Sequence, residues 1–505
     1  MNSGKICISV CAPTAAETID KLRRAAEFAD VIEVRFDCLA RNQLNDLRSQ
    51  ISNLRLDVPL LATYRSPDQG GHGNATSDER EDFWRSGSDG FFAGDFEENI
   101  FHSSLGWQNR IVSLHHFACV PSDIAGCYDR LMATEAEIIK IAVASEDIVD
   151  AIPIWNLLER SREQGRHIIP IAMGEAGKWT RILGLAYGAF LTYASLDEGA
   201  QTADGQMTAR DLIDVYRVKE LDTDTRVFGV IGDPVSQSLS PYFQNAAFRE
   251  AGENAVFIHL LVKDLDEFIR RMVRPETREV KLNFGGFSIT MPHKLAIMKH
   301  LDHIDPTAEK IGAVNTVKIS DGKLLGYNTD AHGFVTPLRA EFGDLKGSRV
   351  ALIGAGGSAR ACIYALKAEG ADVTVFARDR NKASRFASEF GVAGAEMPER
   401  SAADSRQIVN RFDIVVNATP IGMKGRNEGE SLFTSDELLG VKFVYDLVTK
   451  PADTPLISAA KAAGIHTIGG VEMLIAQGSK QFEIWTGREA PVELMRDTLV
   501  ARMNR

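Results

Sequence analysis

Val350-Ala351-Leu352-Ile353-Gly354-Ala355-Gly356-Gly357-Ser358-Ala359 decides the reading of the second half of this chain. An apolar run of four meets a glycine-rich turn, and a helical pattern follows to Leu366, so the stretch reads as strand, turn and helix. In a dinucleotide-binding turn the first glycine makes the tight bend, the second lets backbone approach a pyrophosphate, and a small third residue, here Ala359, packs helix on strand. The first helical amides then face the phosphates, which makes Gly354, Ala355, Gly356, Gly357 and Ser358 the candidate cofactor contacts. The same letters taken alone also describe a plain strand-to-helix turn. The next expected strand, Val373 to Phe376, would end in a carboxylate if the cofactor were NAD, yet it continues Ala377-Arg378-Asp379-Arg380-Asn381-Lys382. Arg378 and Lys382 beside Ala377 suit a ribose 2′-phosphate and favour NADP, while Asp379 pulls the other way.

Outward from that stretch, a chain of 505 residues exceeds one hydrophobic core and implies two or three domains. A net charge of −12, without a clustered basic face, argues against a nucleic-acid partner and leaves small anionic substrates open. Cys7, Cys11, Cys38, Cys119, Cys127 and Cys362 show no paired spacing, so six reduced core thiols in a cytoplasm are expected. The apolar run Ile6 to Ala12 stops at Pro13, too short for a signal peptide, and no stretch reaches membrane-spanning length. A soluble, cytoplasmic protein is the expectation.

Short apolar segments recur through the first half at Ile6–Ala12, Val31–Asp37, Pro59–Arg65, Gly90–Phe96, Arg110–His116, Glu137–Val143, His167–Met173 and Phe190–Ser195. Eight strands in about two hundred residues, most followed by a helical stretch, predict an α/β fold of the (β/α)₈ barrel type. Barrel chemistry gathers at the C-terminal strand ends, and alternate residues point inward. On the sixth strand that puts Ile138, Lys140 and Ala142 inside, joined by Glu33 and Arg35, Arg65, Ser113 and His115. A lysine among arginines has its charged form disfavoured and can attack a carbonyl as a free amine, with His115 as proton shuttle and the arginines as carboxylate holders. Singly, Arg35 with Glu33 reads equally as a structural pair, and His115 as a satisfied core histidine; together they do not, because barrel interiors are normally filled by branched apolar side chains.

Glu33-Val34-Arg35, Arg65, Ser113-Leu114-His115, Lys140-Ile141-Ala142, Met173-Gly174 with Arg181, and Gly205-Gln206 resemble the type I 3-dehydroquinate dehydratase family across nearly all of residues 1–220. The resemblance implies that Lys140 forms a Schiff base and His115 moves the protons, with Ser9, Glu33, Arg35, Arg65, Arg181, Thr202 and Gln206 binding substrate. Two positions depart from it: Gln69 stands where a glutamate often pairs with the histidine, and Thr202 where serine is common. An amide orients an imidazole without raising its pKa, so His115 is expected to titrate low. The polar loop Asp197–Asp204, with Gly199, suits a lid.

The text turns charged around Lys219-Glu220-Leu221-Asp222-Thr223-Asp224, where the first boundary is expected. After it come Ser236-Gln237-Ser238-Leu239-Ser240-Pro241, Thr290-Met291-Pro292-His293-Lys294, Ala313-Val314-Asn315-Thr316 and Asn328-Thr329-Asp330, polar clusters ending apolar runs. Ser238 and Ser240 read equally as caps of the following helix. In order, these motifs and the glycine turn resemble the shikimate dehydrogenase family from Arg226 to the C-terminus.

That resemblance implies NADP(H), no metal, and Lys294 and Asp330 as the catalytic pair. Ser238, Ser240, Thr290, Asn315 and Gln477 would hold substrate, and Thr419, Leu447 and Gly470 would border the cofactor; Thr449 replaces a frequent tyrosine. The expected organisation is a barrel at 1–220, a substrate domain at 226–336 completed by 470–505, and a Rossmann NADP domain at 337–469. The function expected is dehydration of 3-dehydroquinate followed by reduction of 3-dehydroshikimate. Two rivals stand beside it, a catabolic quinate or shikimate dehydrogenase and a half that only binds.

Overall fold

The computed structural model describes residues 2–397, 411–425 and 427–504. It divides into two compact units, Met1–Pro241 with Asn254–Phe284, and Tyr242–Glu253 with Gly285–Arg505.

In the first unit eight parallel strands follow one another around a sheet: β1 (Lys5–Val10), β2 (Val31–Arg35), β3 (Leu60–Thr63), β4 (Ala93–Glu97), β5 (Arg110–His116), β6 (Ile138–Ala144), β7 (His167–Met173) and β8 (Leu191–Ser195). Each pairs with its sequence neighbour from β1 to β7, and β8 pairs with β1. At the seam Phe190 N donates to Ile168 O (2.9 Å). The (β/α)₈ reading holds, including the fourth strand.

Alternation sorts the interior into layers. Cys7, Val31, Leu61, Ala93, Ile111, Ile138, Ile169 and Leu191 form an apolar floor. Two residues on along the same strands stand Ser9, Glu33, Thr63, Asp95, Ser113, Lys140, Ile171 and Tyr193, all buried. The core is therefore closed by hydrocarbon below and turns polar one layer higher.

The cysteine expectation is corrected here. Cys11, just past β1, is bonded to Cys38, just past β2, and Cys119 is exposed rather than core. Neighbouring parallel strands bring the residues after their ends together, with 5.4 Å between the two Cα atoms, although 27 positions separate them in sequence. Such pairing across adjacent strands leaves no spacing signature to read.

The first unit continues with the parallel pair β10 (Arg226–Gly232) and β11 (Ala255–Leu261), after the short β9 (Met207–Thr208) beside β8. Asp147, in the loop after β6, accepts from the amides of Lys263 (2.7 Å) and Asp264 (2.9 Å).

The second unit holds two sheets. One runs β12 (Phe284–Ile289), β14 (Thr316–Ser320), β15 (Lys323–Tyr327) and β13 (His303–Ile304). The other comprises β16 (Arg349–Ile353), β17 (Asp372–Ala377), β18 (Ala393–Glu396), β19 (Ile414–Asn417), β20 (Phe443–Asp446) and β21 (His466–Ile468) in the order β18-β17-β16-β19-β20-β21. That order reverses direction beside β16, at the glycine turn, as in dinucleotide-binding sheets. Among the described residues no helix is long and apolar enough to cross a membrane.

Candidate active sites

Lys140 points into the barrel. Its Nζ donates to Asp95 Oδ2 (2.8 Å) and to the Tyr193 hydroxyl (3.0 Å), and lies 3.8 Å from Glu33 Oε1. A buried ammonium without partners costs several kcal/mol, and these groups supply them. The sequence expectation of a lysine among arginines is corrected: its nearest charges are carboxylates, because Asp95 faces it from β4. Arg65 meets the same Asp95 Oδ2 at 2.6 Å and donates to Ser113 Oγ at 2.6 Å. Burial pushes the Asp95 carboxyl up, but Arg65 and then Lys140 outweigh it and hold the group well below the usual range.

Glu33 and Arg35 do not form the structural pair that was one alternative. Glu33 accepts from Ser9 Oγ and, at 2.8 Å, from Thr63 Oγ1. Arg35 is gripped by Asp37 through Nε (2.9 Å) and Nη2 (2.7 Å). Asp37 also accepts from the amides of Arg65 and His72. It thus ties the loop after β2 to the loop after β3 at the barrel mouth.

His115, on β5, has a buried Nδ1 with no hydrogen-bond partner among the described residues and a ring stacked against Phe117. Burial, then the cations of Arg65 and Lys140, push its pKa well below the usual 6.5, so the imidazole is neutral and free to accept a proton. Gln69 acts otherwise than expected: its Oε1 accepts from the His115 backbone amide (2.9 Å) rather than orienting the ring.

Arg181 is 2% exposed, and its Nη2 reaches only the Asp204 carbonyl, at 3.4 Å. Among the described residues no carboxylate lies within ion-pair range of it, and burial lowers its pKa to about 10. Thr202 and Gln206 are joined through the Thr202 amide and Gln206 Oε1 (2.8 Å). One cavity is lined by Ser9, Glu33, Arg35, Arg65, His115, Lys140, Arg181, Thr202 and Gln206, together with Gln69 and Tyr193. The barrel residues given a substrate or proton-transfer role by the resemblance are therefore gathered, while Ser113 stands behind Arg65 rather than in the cavity lining. Asp37, Asp95 and Tyr193 were missed; the alternation applied to β6, extended to β4 and β8, would have placed Asp95 and Tyr193 inside.

In the second unit Lys294 Nζ donates to Asp330 Oδ2 (2.5 Å). Asn315 Nδ2 holds the other oxygen of Asp330 (2.7 Å) and approaches Gln477 Oε1 (3.4 Å). Thr329 donates its amide to Asn315 Oδ1 (2.7 Å), and Gln481 binds Ser288, the Asn315 carbonyl and Thr316. Sequence reading left out Gln481 and quoted Thr329 only within its motif, and both set the posture of Asn315. Thr290 follows β12, half-buried. Ser238 and Ser240 belong to the first unit; Ser238 Oγ accepts from the Ser240 amide (3.4 Å) where the helix Ser240–Glu250 begins, so capping is part of the work of Ser238.

The glycine turn has the shape a pyrophosphate needs. Gly354 sits at φ +126°, and a Cβ there would lie 2.7 Å from the Ala418 carbonyl oxygen. The helix Gly357–Ala368 starts directly after it, with Ala359 fully buried, and Ser358 Oγ is 3.4 Å from Lys294 Nζ. Thr419, Leu447 and Gly470 follow the ends of β19, β20 and β21, the side on which such sheets bind ligands. Asp379, which clouded the choice of cofactor, caps the helix Arg380–Phe390 by accepting from the amides of Asn381 (2.8 Å) and Lys382 (3.4 Å). Its carboxylate is engaged there, and Arg378 and Lys382 flank the end of β17 as cations.

Family comparison agrees along the chain. Residues 6–223 match type I 3-dehydroquinase, 230–317 the shikimate dehydrogenase substrate binding domain, 338–423 shikimate/quinate 5-dehydrogenase, and 470–500 the shikimate 5′-dehydrogenase C-terminal domain. The chloroplastic bifunctional 3-dehydroquinate dehydratase/shikimate dehydrogenase of Arabidopsis thaliana is 35% identical over 517 residues, covering 96% of this chain and 83% of the relative. A crystal structure of a shikimate dehydrogenase in complex with NADP+ matches at TM-score 0.50 and 36% identity, over 56% of this chain and 98% of that one. A quinate dehydrogenase from Corynebacterium glutamicum in complex with NAD matches at TM-score 0.50 and 30% identity, over 55% and 99%. With a lysine-bearing barrel followed by a glycine-turn sheet, and a relative that spans both, the chain belongs to the family of bifunctional 3-dehydroquinate dehydratase/shikimate dehydrogenases.

Proposed function

We propose that Lys140 dehydrates 3-dehydroquinate through an imine and that Lys294, with Asp330, protonates the carbonyl oxygen of 3-dehydroshikimate as NADPH reduces it. The observation that carries the reading is the buried Lys140 amine in one cavity with Arg181, a guanidinium with no carboxylate of its own. Arg181 receives the substrate carboxylate, and Arg35, Arg65, Glu33, Ser9, Thr202 and Gln206 hold the remaining oxygens. Once the ketone is an iminium, the carbon beside it is acidic; His115 takes that proton and returns one to the departing hydroxyl.

In the dehydrogenase half the cofactor supplies hydride when bound. The chain's own part is to place a proton and a positive charge at the oxygen where negative charge develops, and Lys294 serves both needs. Asp330 holds Lys294 in posture, itself held by Asn315. Thr290, Asn315 and Gln477 are proposed substrate contacts, and Ser238 and Ser240 enter on their sequence motif. Gly354, Ala355, Gly356, Gly357, Ser358, Ala377, Arg378, Lys382, Thr419, Leu447 and Gly470 border NADP, and the capping role of Asp379 supports NADP over NAD. The division at 1–220, 226–336 with 470–505, and 337–469 completes the proposal.

Supplying 3-dehydroquinate with NADPH tests the whole reading: nicotinamide absorbance is expected to fall only with both present, and more slowly with NADH. A chain that oxidises NADPH with 3-dehydroshikimate but never with 3-dehydroquinate would sink the dehydratase assignment. The similarity to a quinate dehydrogenase favours one second reading, a quinate-linked, NAD-preferring enzyme, which a faster rate with quinate and NAD than with shikimate and NADP would establish.

The low titration of His115 gives a further expectation. The acid limb of the dehydratase pH profile lies below 6.5, because protonating His115 removes the base. Gln69→Glu brings a carboxylate to within contact of this residue and should move that limb upward by about one unit. An unmoved limb in the variant would show that another group sets it.

A further inference from the structure

Tyr193 stands on β8 opposite Cys7 of β1, 4% exposed, with its hydroxyl 3.0 Å from Lys140 Nζ and its ring face 4.3 Å below the same nitrogen. In that hydrogen bond Tyr193 is the acceptor. Its own hydroxyl hydrogen has no acceptor among the described residues, and the side chain lines the cavity in which the substrate ketone would meet Lys140. The molecule therefore presents an unengaged O–H donor beside the reacting nitrogen and open to the reacting carbonyl. The other close partner of Nζ, Asp95, has only lone pairs to offer and is held as an anion by Arg65.

Imine formation needs such a group. As the C–N bond forms, the nitrogen must lose a proton while the carbonyl oxygen gains one; as the C–O bond then breaks, the oxygen must gain a second and leave as water. Summed over both steps, ketone and ammonium become iminium and water with no net proton gained or lost, so a relay between nitrogen and oxygen is sufficient. A phenol that accepts from N–H and donates its own hydrogen to the oxygen emerges unchanged. Burial, with Glu33 and Cys7 nearby, pushes the Tyr193 pKa well above the usual 10, which keeps the donor hydrogen in place.

We propose that Tyr193 is a catalytic residue of the barrel, relaying a proton between Lys140 Nζ and the substrate carbonyl oxygen as the imine forms and as it is hydrolysed. The proposal rests on the imine reading of Lys140. The ring beneath Nζ adds a cation–π contact that persists from ammonium to iminium, so phenylalanine separates the two contributions.

Full-length wild type and Tyr193→Phe are mixed with 3-dehydroquinate and quenched with borohydride over a time course, and the adduct is located by peptide mass. The expected result is an adduct on Lys140 in both, formed about tenfold more slowly in the variant, with kcat reduced in the same proportion and KM within about twofold. NADPH-dependent reduction of 3-dehydroshikimate by the same preparation should be unchanged. Adduct formation in the variant at the wild-type rate, with the same pH profile, would overturn the relay. Absence of any Lys140 adduct in wild type would instead overturn the imine reading beneath it. Should the variant fail to fold, 3-fluorotyrosine at position 193 keeps the shape and lowers the phenol pKa; the alkaline limb of adduct formation then moves down if the relay holds, and an unmoved limb overturns it.

Discussion

Lys140→Ala is expected to lower 3-dehydroquinate dehydration by at least about four orders of magnitude, since a covalent route disappears and no other lysine among the described residues lines the cavity. Borohydride trapping should fail on the same variant. The protein should still fold: removing one partner of a buried ion pair costs about 3–5 kcal/mol when the other charge is stranded, but Asp95 retains Arg65 at 2.6 Å. Reduction of 3-dehydroshikimate, which uses no barrel residue, should stay at the wild-type rate and serves as the internal measure of intact protein. Steady-state assay of both activities on one preparation checks the prediction, and a Lys140→Ala chain that still forms the adduct would refute the imine.

The complementary experiment is Lys294→Ala. Loss of a positioned proton donor and its charge should lower kcat for 3-dehydroshikimate reduction by about 10²–10⁴-fold. Asp330 keeps its hydrogen bond from Asn315 (2.7 Å), so the site should hold its shape and KM should change far less than kcat. Dehydration by the barrel should be untouched. A variant that reduces substrate within about threefold of wild type would remove Lys294 from the mechanism, because even the low end of general acid catalysis exceeds that.

Much of this architecture is legible from period-two alternation and glycine placement, because both are local consequences of backbone geometry. Parity on β6 alone put Lys140 inside, and Gly354 was readable because only glycine fits at φ +126° against the Ala418 carbonyl. What escaped were partners decided by side chains from distant strands. No local pattern says that Asp95 on β4 reaches Lys140 on β6, or that Arg35 turns to Asp37 two residues on rather than to Glu33 two residues back. Cys11 and Cys38 escaped for the same reason, as neighbours only once β1 and β2 lie side by side. Gln69 shows the limit of carrying a motif across. Its position matched expectation, yet its carbonyl oxygen serves a backbone amide, a contact that depends on how the loop after β3 is bent.

The company kept by the arginines of the barrel mouth also constrains what the site will tolerate as an inhibitor. Arg35 is balanced by Asp37 and Arg65 by Asp95, while Glu33 lies near Lys140; four cations thus meet three carboxylates, and the surplus resides on Arg181. A monovalent anion completes electroneutrality in that enclosure. A dianionic compound would bring a second charge with no counterion waiting for it, so potency is best sought in shape and hydroxyl placement around a single acid group.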